Sequence, residues 1–185
     1  MIRRTPLLLV PLLLAACAHD GGTLPVATVA IRPAEPAAPA DDLASVVAGR
    51  LRAEDAAAFR AVSVTASGGE VLLTGAVTKP SLRRRAEAAA AAVAGVAAVH
   101  DDVMLTEAAA FPRFLPDAAR EHAVAARLAD QSEAAGIGVR VVDGVAYLIG
   151  SAPSAADLER IKTRLMDDPD LKWVDAGAVS VPPTP

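Results

Sequence analysis

The sequence predicts an α+β protein: two tandem small αββαβ two-layer sandwiches behind a signal peptide and a flexible tether. Three observations carry this. The chain aligns with itself at an offset of 75 residues, 42–99 over 117–174 without a gap. Each copy passes from helical to alternating apolar spacing, turns at glycine, and then repeats strand, helix and strand. The first forty residues differ in composition from everything after them. The boundaries that follow are 1–16 for the signal, 17–40 for the anchor and tether, 41–107 and 117–181 for the two repeats, 108–116 for a linker and 182–185 for a tail.

Arg3 and Arg4 precede an apolar run from Leu7 to Leu14 broken by Pro11, and small Ala15 and Ala16 follow, the layout of a secretory signal. The run is well short of the roughly 18 to 20 residues that a membrane-crossing helix needs, so cleavage is expected. Cys17 is the only cysteine of the 185 residues; alone it closes no intramolecular disulfide and completes no cysteine-based zinc site. Leu14-Ala15-Ala16-Cys17 resembles the bacterial lipobox, whose cysteine becomes the first mature residue and carries diacylglycerol on its sulfur. By that resemblance Cys17 is the lipid attachment, triacylated, and holds the protein stably to a membrane where a single acyl chain would not. With Ala18 rather than aspartate after the cysteine, the resemblance implies the periplasmic face of the outer membrane of a Gram-negative bacterium. Residues 18–40, with Pro25, Pro33, Pro36, Pro39 and many alanines, hold too little large apolar surface to order themselves. As an extended tether they reach up to about 70 Å.

Loss of Arg3 and Arg4 leaves 16 basic side chains against 22 acidic ones, a net charge of −6, which argues against a nucleic-acid partner. Only five aromatic residues are present, so alanine and aliphatic side chains build the core.

In the first repeat Leu43, Val46, Val47 and Leu51 mark one helix face, with Asp41 or Asp42 available as a cap. In the second, Ala118, Ala125 and Leu128 mark a thinner stripe beginning near Asp117. Val62-Val64-Ala66 and Ile137-Val139-Val141 alternate as half-buried strands. Ser67-Gly68-Gly69 and Asp143-Gly144 are turns, the second a strong hairpin signal. The return strands are Glu70 to Val77 and Val145 to Gly150. Near their ends Gly75 and Gly150 are placed where a side chain would obstruct the next helix or forbid the backbone angle. Helices are predicted from about Ser81 to Ala94 and from about Ser154 to Asp168. The latter is opened by a Ser154–Asp157 capping box, faced inward by Leu158, Ile161 and Leu165, and stopped by Pro169. Val99 to Leu105 and Trp173 to Val181 are the last strands, the second slipping by one residue after Val174.

The strands "EVLLTGAV" and "VAYLIGSA", with their glycines, and the ending "VAGVAAVHDDVML" resemble the BON domain, which occurs in tandem in dual-BON outer-membrane lipoproteins. The resemblance covers 41–107 and 117–181. Its Gly-Val-x-x-Val turn is Gly95 to Val99 in the first copy, while Asp170-Leu171-Lys172-Trp173-Val174 lacks the glycine. It implies anionic phospholipid binding and a role in envelope integrity, with membrane contact through the first helix of the second domain. Here that helix is Asp117 to Ala134, carrying Arg120 and Arg127 seven residues apart.

No phosphate-cradling glycine loop, Gly-x-Ser-x-Gly elbow or zinc-protease histidine pair is present, so no enzyme and no cofactor is expected. His100-Asp101-Asp102 alternates across a strand and reads as its polar end rather than a metal site. His122 reads as part of a solvated helix face. Three basic places are candidates for phospholipid contact: Arg113 with Phe114 in "FPRFLP", Arg120 with Arg127, and Lys79 with Arg83, Arg84 and Arg85. The arginines also fit solvated helix faces, the phenylalanines a contact packing the two domains, and Trp173 a core or domain contact. The functional expectation is a non-catalytic lipid-anchored envelope protein binding anionic lipid; its rival is a protein-interaction adaptor without headgroup binding.

Overall fold

A computed structural model of the chain describes residues 40–183, so Cys17, the signal and most of the tether lie outside the described residues. The first repeat comprises α1 (Ala40–Asp55), β1 (Val62–Ser67), β2 (Glu70–Val77), α2 (Pro80–Ala91), β3 (Ala98–Asp101) and β4 (Met104–Leu105). The second comprises α3 (Ala118–Ala129), β5 (Ile137–Val142), β6 (Val145–Ser151), α4 (Ala155–Met166) and β7 (Trp173–Ser180). In each, the first two strands form an antiparallel hairpin, and the last strand lies parallel to the second after a helical crossover. Both repeats are therefore αββαβ two-layer sandwiches in an α+β fold.

Backbone hydrogen bonds repeat with the sequence. Ala97 N–H donates to Gly69 O and Lys172 N–H to Gly144 O, both at 2.7 Å. Ala76 N–H donates to Ala61 O at 3.0 Å and Ser151 N–H to Gly136 O at 3.1 Å. Gly75 and Gly150 sit beside these last bonds at φ +102 and +129, outside the range of L side chains. A Cβ at either would overlap the carbonyl oxygen of Ala61 or Gly136. The obstruction is thus the segment entering the preceding strand, not the next helix. Asp143 and Gly144, at φ 48 and 78, make the hairpin turn that Asp-Gly favours.

Alternation along β2 decides the packing. Val71, Leu73 and Val77 point into a core with Leu43, Val47 and Leu51 of α1 and Ala86, Ala89 and Ala90 of α2. The alanines of α2 let this helix lie close to the sheet. Leu72, Thr74 and Ala76 face the other way and are buried too, which explains the nearly unbroken apolar run of this strand. Leu72 packs on Ile149 and Ala178, with Tyr147 against them, so the helix-free faces of the two sheets cover one another. Arg140 ties them at the rim: its Nε donates to Thr65 Oγ1 at 3.1 Å, and its Nη1 lies 3.2 Å from Glu121 Oε2.

Several elements differ from expectation. The helix α1 starts at Ala40, so Asp42 lies within its first turn instead of capping it, and Val46 is 54% exposed. The buried stripe is the narrower Leu43, Val47, Leu51. On α3 the buried residues are Val124 and Leu128, with Ala118 and Ala125 exposed; the helix ends at Ala129 and a short 3-10 turn, Ser132–Ala134, follows. Asp117 caps α3 by accepting from Arg120 N–H. Ser154 Oγ accepts from Asp157 N–H at 3.1 Å, but the reciprocal bond goes from the Ser154 hydroxyl to Asp157 Oδ2 at 2.6 Å. The last strand of the first repeat is split into β3 and β4 because Val103 turns into the core, its N–H held by Asp101 Oδ1 at 3.1 Å. In the second repeat the one-residue slip is a bulge: Tyr147 pairs with Asp175 but Ile149 with Ala178, and Gly177 N–H donates to Asp175 Oδ1.

Gly75→Ala and Gly150→Ala are each expected to lower the unfolding free energy in urea by at least about 1 kcal/mol. Gly49→Ala, in the interior of α1 with open space around it, is expected to raise it by about 0.5–1 kcal/mol.

Candidate anion-binding surfaces

The basic residues divide by whether an acid already holds them. Arg113 Nη2 is 3.1 Å from Asp143 Oδ2, and Lys172 Nζ is 3.0 Å from Asp143 Oδ1. These two hydrogen bonds hold the Asp143 carboxyl below its usual range, Lys172 first, against some desolvation. Arg120 pairs with Asp117 at 3.6 Å and Asp170 at 3.5 Å, and donates to the Asp170 carbonyl. Arg127 reaches Asp168 at 3.7 Å. The face built by the linker and α3 is therefore a web of compensated charges.

On α2, Arg83 Nε donates to Asp101 Oδ2 at 2.7 Å and its Nη2 to the Asp101 carbonyl at 2.6 Å, so this arginine clamps β3. Arg85 lies 3.1 Å from Glu54. Lys79 and Arg84 are exposed and have no ion pair among the described residues. His100 and Asp101 point apart: His100 Nε2 meets Glu70 Oε2 at 3.2 Å while Asp101 serves Arg83. His122 is exposed.

The linker takes a 3-10 turn from Ala108 to Phe114. Phe111 is buried against Ala61 and Ala76, with Phe114 partly buried beside it. The phenylalanines thus pack the linker onto the first repeat instead of joining the repeats, because the helix-free face of β2 offers only Ala76 at that end. Leu115 stays 49% exposed. Trp173 is 58% exposed, in neither core nor domain contact: it lies on the face of β7 opposite buried Val174, beyond the reach of the stacked sheets.

One cation absent from the sequence-based candidates stands out. Arg60 lies in the short connection after α1, with its guanidinium 4.7 Å from the centre of the Phe111 ring. With Lys79, Arg85 and Asp55 it lines a cavity of about 550 Å³ that the Thr78 and Ser81 residues complete. Its isolated position in the sequence gave no signal, since only the pairing of β1 with β2, extended by the Ala76 N–H to Ala61 O bond, brings it to Lys79. A larger cavity of about 670 Å³ under α3 is lined mainly by alanine with Glu121 and His122, and no lysine or arginine lines it.

Acidic groups gather instead where the sheets meet. Asp102 is raised above the ordinary 3.8 by burial first and then by Asp175 and Asp101, with His100 and Arg83 opposing. Burial and the charges of Asp102, Asp175 and Asp143 raise Tyr147.

The sequence matches the BON domain family over residues 39–107 and 116–163, more than half of its length, and the chain belongs to that family, with two BON domains. Among curated proteins none matches. Solved structures of CdsD, a structural protein of the type III secretion system of Chlamydia trachomatis, are similar. Its C-terminal domain is 17% identical over 77% of this chain and 67% of that one, with a TM-score of 0.29. A second CdsD structure is 18% identical over 75% and 93%, with a TM-score of 0.31. Likeness of this degree bears on neither partner nor activity.

A raised carboxyl pKa makes ionisation unfavourable to folding, so the cost of Asp102 is absent below about pH 3.8 and grows as pH rises through its folded value. Asp102→Asn is expected to be more stable than wild type at pH 7, because burial and then the charges of Asp175 and Asp101 disfavour the Asp102 carboxylate. The difference should vanish near pH 3 in paired thermal melts.

Proposed function

We propose that this BON-domain protein is a non-catalytic envelope lipoprotein, anchored through Cys17 to the periplasmic face of the outer membrane. There its first domain contacts anionic phospholipid and so supports envelope integrity. The observation that carries the reading is that Arg60 and Lys79, neither in an ion pair among the described residues, line one cavity between the loop after α1 and the start of α2, with Arg84 exposed close by in that helix. The arginines of the second domain, Arg120 and Arg127, are each matched to an aspartate, and their membrane contact would first require those pairs to open. Among the described residues no helix is long and apolar enough to cross a membrane; the attachment in this reading is the lipid on Cys17, supported by the Leu14-Ala15-Ala16-Cys17 sequence. A second reading, an adaptor for another envelope protein, is favoured by the exposed Trp173 beside Lys172, since tryptophan is enriched among the residues that carry binding energy at protein interfaces.

Flotation of the Cys17→Ser chain with vesicles separates the two. Binding that requires phosphatidylglycerol or cardiolipin, weakens with salt and falls several-fold in Lys79→Gln/Arg84→Gln supports lipid contact. No flotation with any vesicle, together with an envelope protein crosslinked by wild type but not by Trp173→Ala, supports the adaptor.

A further inference from the structure

We infer that the cation-lined cavity of the first domain is a binding site for a single phosphate-bearing lipid molecule, with phosphate beside Arg60 and Lys79 and the start of its chain against Phe111 and Leu115. This deepens the anionic-lipid reading above and rests on it.

Two adjoining cavities make the argument. The larger one, lined also by apolar Ala57, Ala58 and Leu82, brings three cationic side chains, Arg60, Lys79 and Arg85, together with one acid, Asp55. Asp55 is already engaged, its Oδ1 accepting from Ala58 N–H at 2.9 Å, and Arg85 is shared with Glu54. Hydroxyl-bearing Thr78 and Ser81 line the same space, and Lys79, at the N-cap of α2, makes no side-chain bond to the first turn. Behind it lies an apolar cavity of about 280 Å³ formed by Ala61, Ala109, Pro112 and Leu115. Arg60, Ala108 and Phe111 belong to both, so one wall is common. Arg60 spans the boundary, its guanidinium over the Phe111 ring and its Nη1 donating to the Ala57 carbonyl at 3.3 Å, on the side of the larger cavity. A free anion would use only half of this arrangement and a neutral hydrocarbon only the other half. An amphiphile with a phosphate at one end fills both.

The duplication supplies an internal control. The matching place in the second domain is a cavity of about 530 Å³, nearly the same size. There Ala135 stands where the first domain has Arg60, Glu133 where it has Ala58, and Pro153 where it has Thr78. At the position of Lys79 is Ser154, whose hydroxyl is consumed by capping α4. No lysine or arginine lines that cavity. The basic lining is therefore a property of the first domain's side chains and not of the fold.

The test uses the Cys17→Ser chain and three soluble probes: hexyl phosphate, inorganic phosphate and 1-hexanol, each titrated by NMR while the amides of Arg60, Ala108 and Phe111 are followed. Hexyl phosphate is expected to bind at least about tenfold more tightly than either other probe. Arg60→Gln and Lys79→Gln should each weaken it by about tenfold, the effect of losing roughly 1.4 kcal/mol. Leu115→Ser should weaken hexyl phosphate only, leaving inorganic phosphate unchanged. All three positions are exposed, so the variants should keep the wild-type far-UV circular dichroism. Equal affinity for inorganic and hexyl phosphate, equal affinity for hexanol, or shifts at Ala135 and Ser151 instead would each overturn the site. A chain that floats with anionic vesicles but ignores hexyl phosphate overturns this inference alone; one that binds hexyl phosphate but never floats overturns the membrane-contact reading.

Discussion

The contact of Leu72 with Ile149 and Ala178 organises the molecule. A three-stranded sheet carrying two helices has one face left over, and in each repeat that face carries apolar side chains, Leu72 and Ala76 in the first and Tyr147, Ile149 and Ala178 in the second. Stacking the two faces removes both from solvent at once and turns the helices outward. With so few aromatic side chains, neither repeat has much else to bury. The two cores, one around Leu73 and Val47, the other around Leu148 and Ile161, remain separate layers on either side of this seam. What the solvent meets is then α1 and α2 on one side and α3 and α4 on the other, and the candidate site opens beside the first pair.

The seam is not electrostatically quiet. Across it burial and then the charge of Asp175 raise Asp102, burial and then both aspartates raise Tyr147, and Thr74 keeps a buried hydroxyl without a partner among the described residues. Arg140 links Thr65 of the first sheet with Glu121 of the second domain at the edge.

Much of this architecture was legible in the sequence because it rests on local constraints. The offset of the repeat reappears as matched hydrogen bonds at Gly69 and Gly144, and the glycines of β2 and β6 are demanded by backbone angle and by the oxygen in front of them. The bulge near Asp175 was visible as a broken alternation. Other features depend on contacts far apart in the chain. Nothing local distinguishes Val46 from Val47, yet one faces water because α1 buries only a narrow stripe against β1 and α2. Trp173 reads as a core residue until strand polarity sends it to the face opposite Val174. At the candidate site, Lys79 and its neighbours were visible as a basic run, whereas Arg60 needed the fold to bring it there. The run itself is also less uniform than it reads: Arg83 is a structural clamp on Asp101, and Arg84 is the exposed member.

The stacked seam is tested most directly by amide hydrogen exchange across a series of low urea concentrations. If the two sheets support each other, the amides of Leu72 in β2 and Ile149 in β6 should lose protection with one common free energy and one common urea slope. Two separate isotherms, with one sheet exchanging while the other stays protected, would contradict the seam and leave two independent domains in its place.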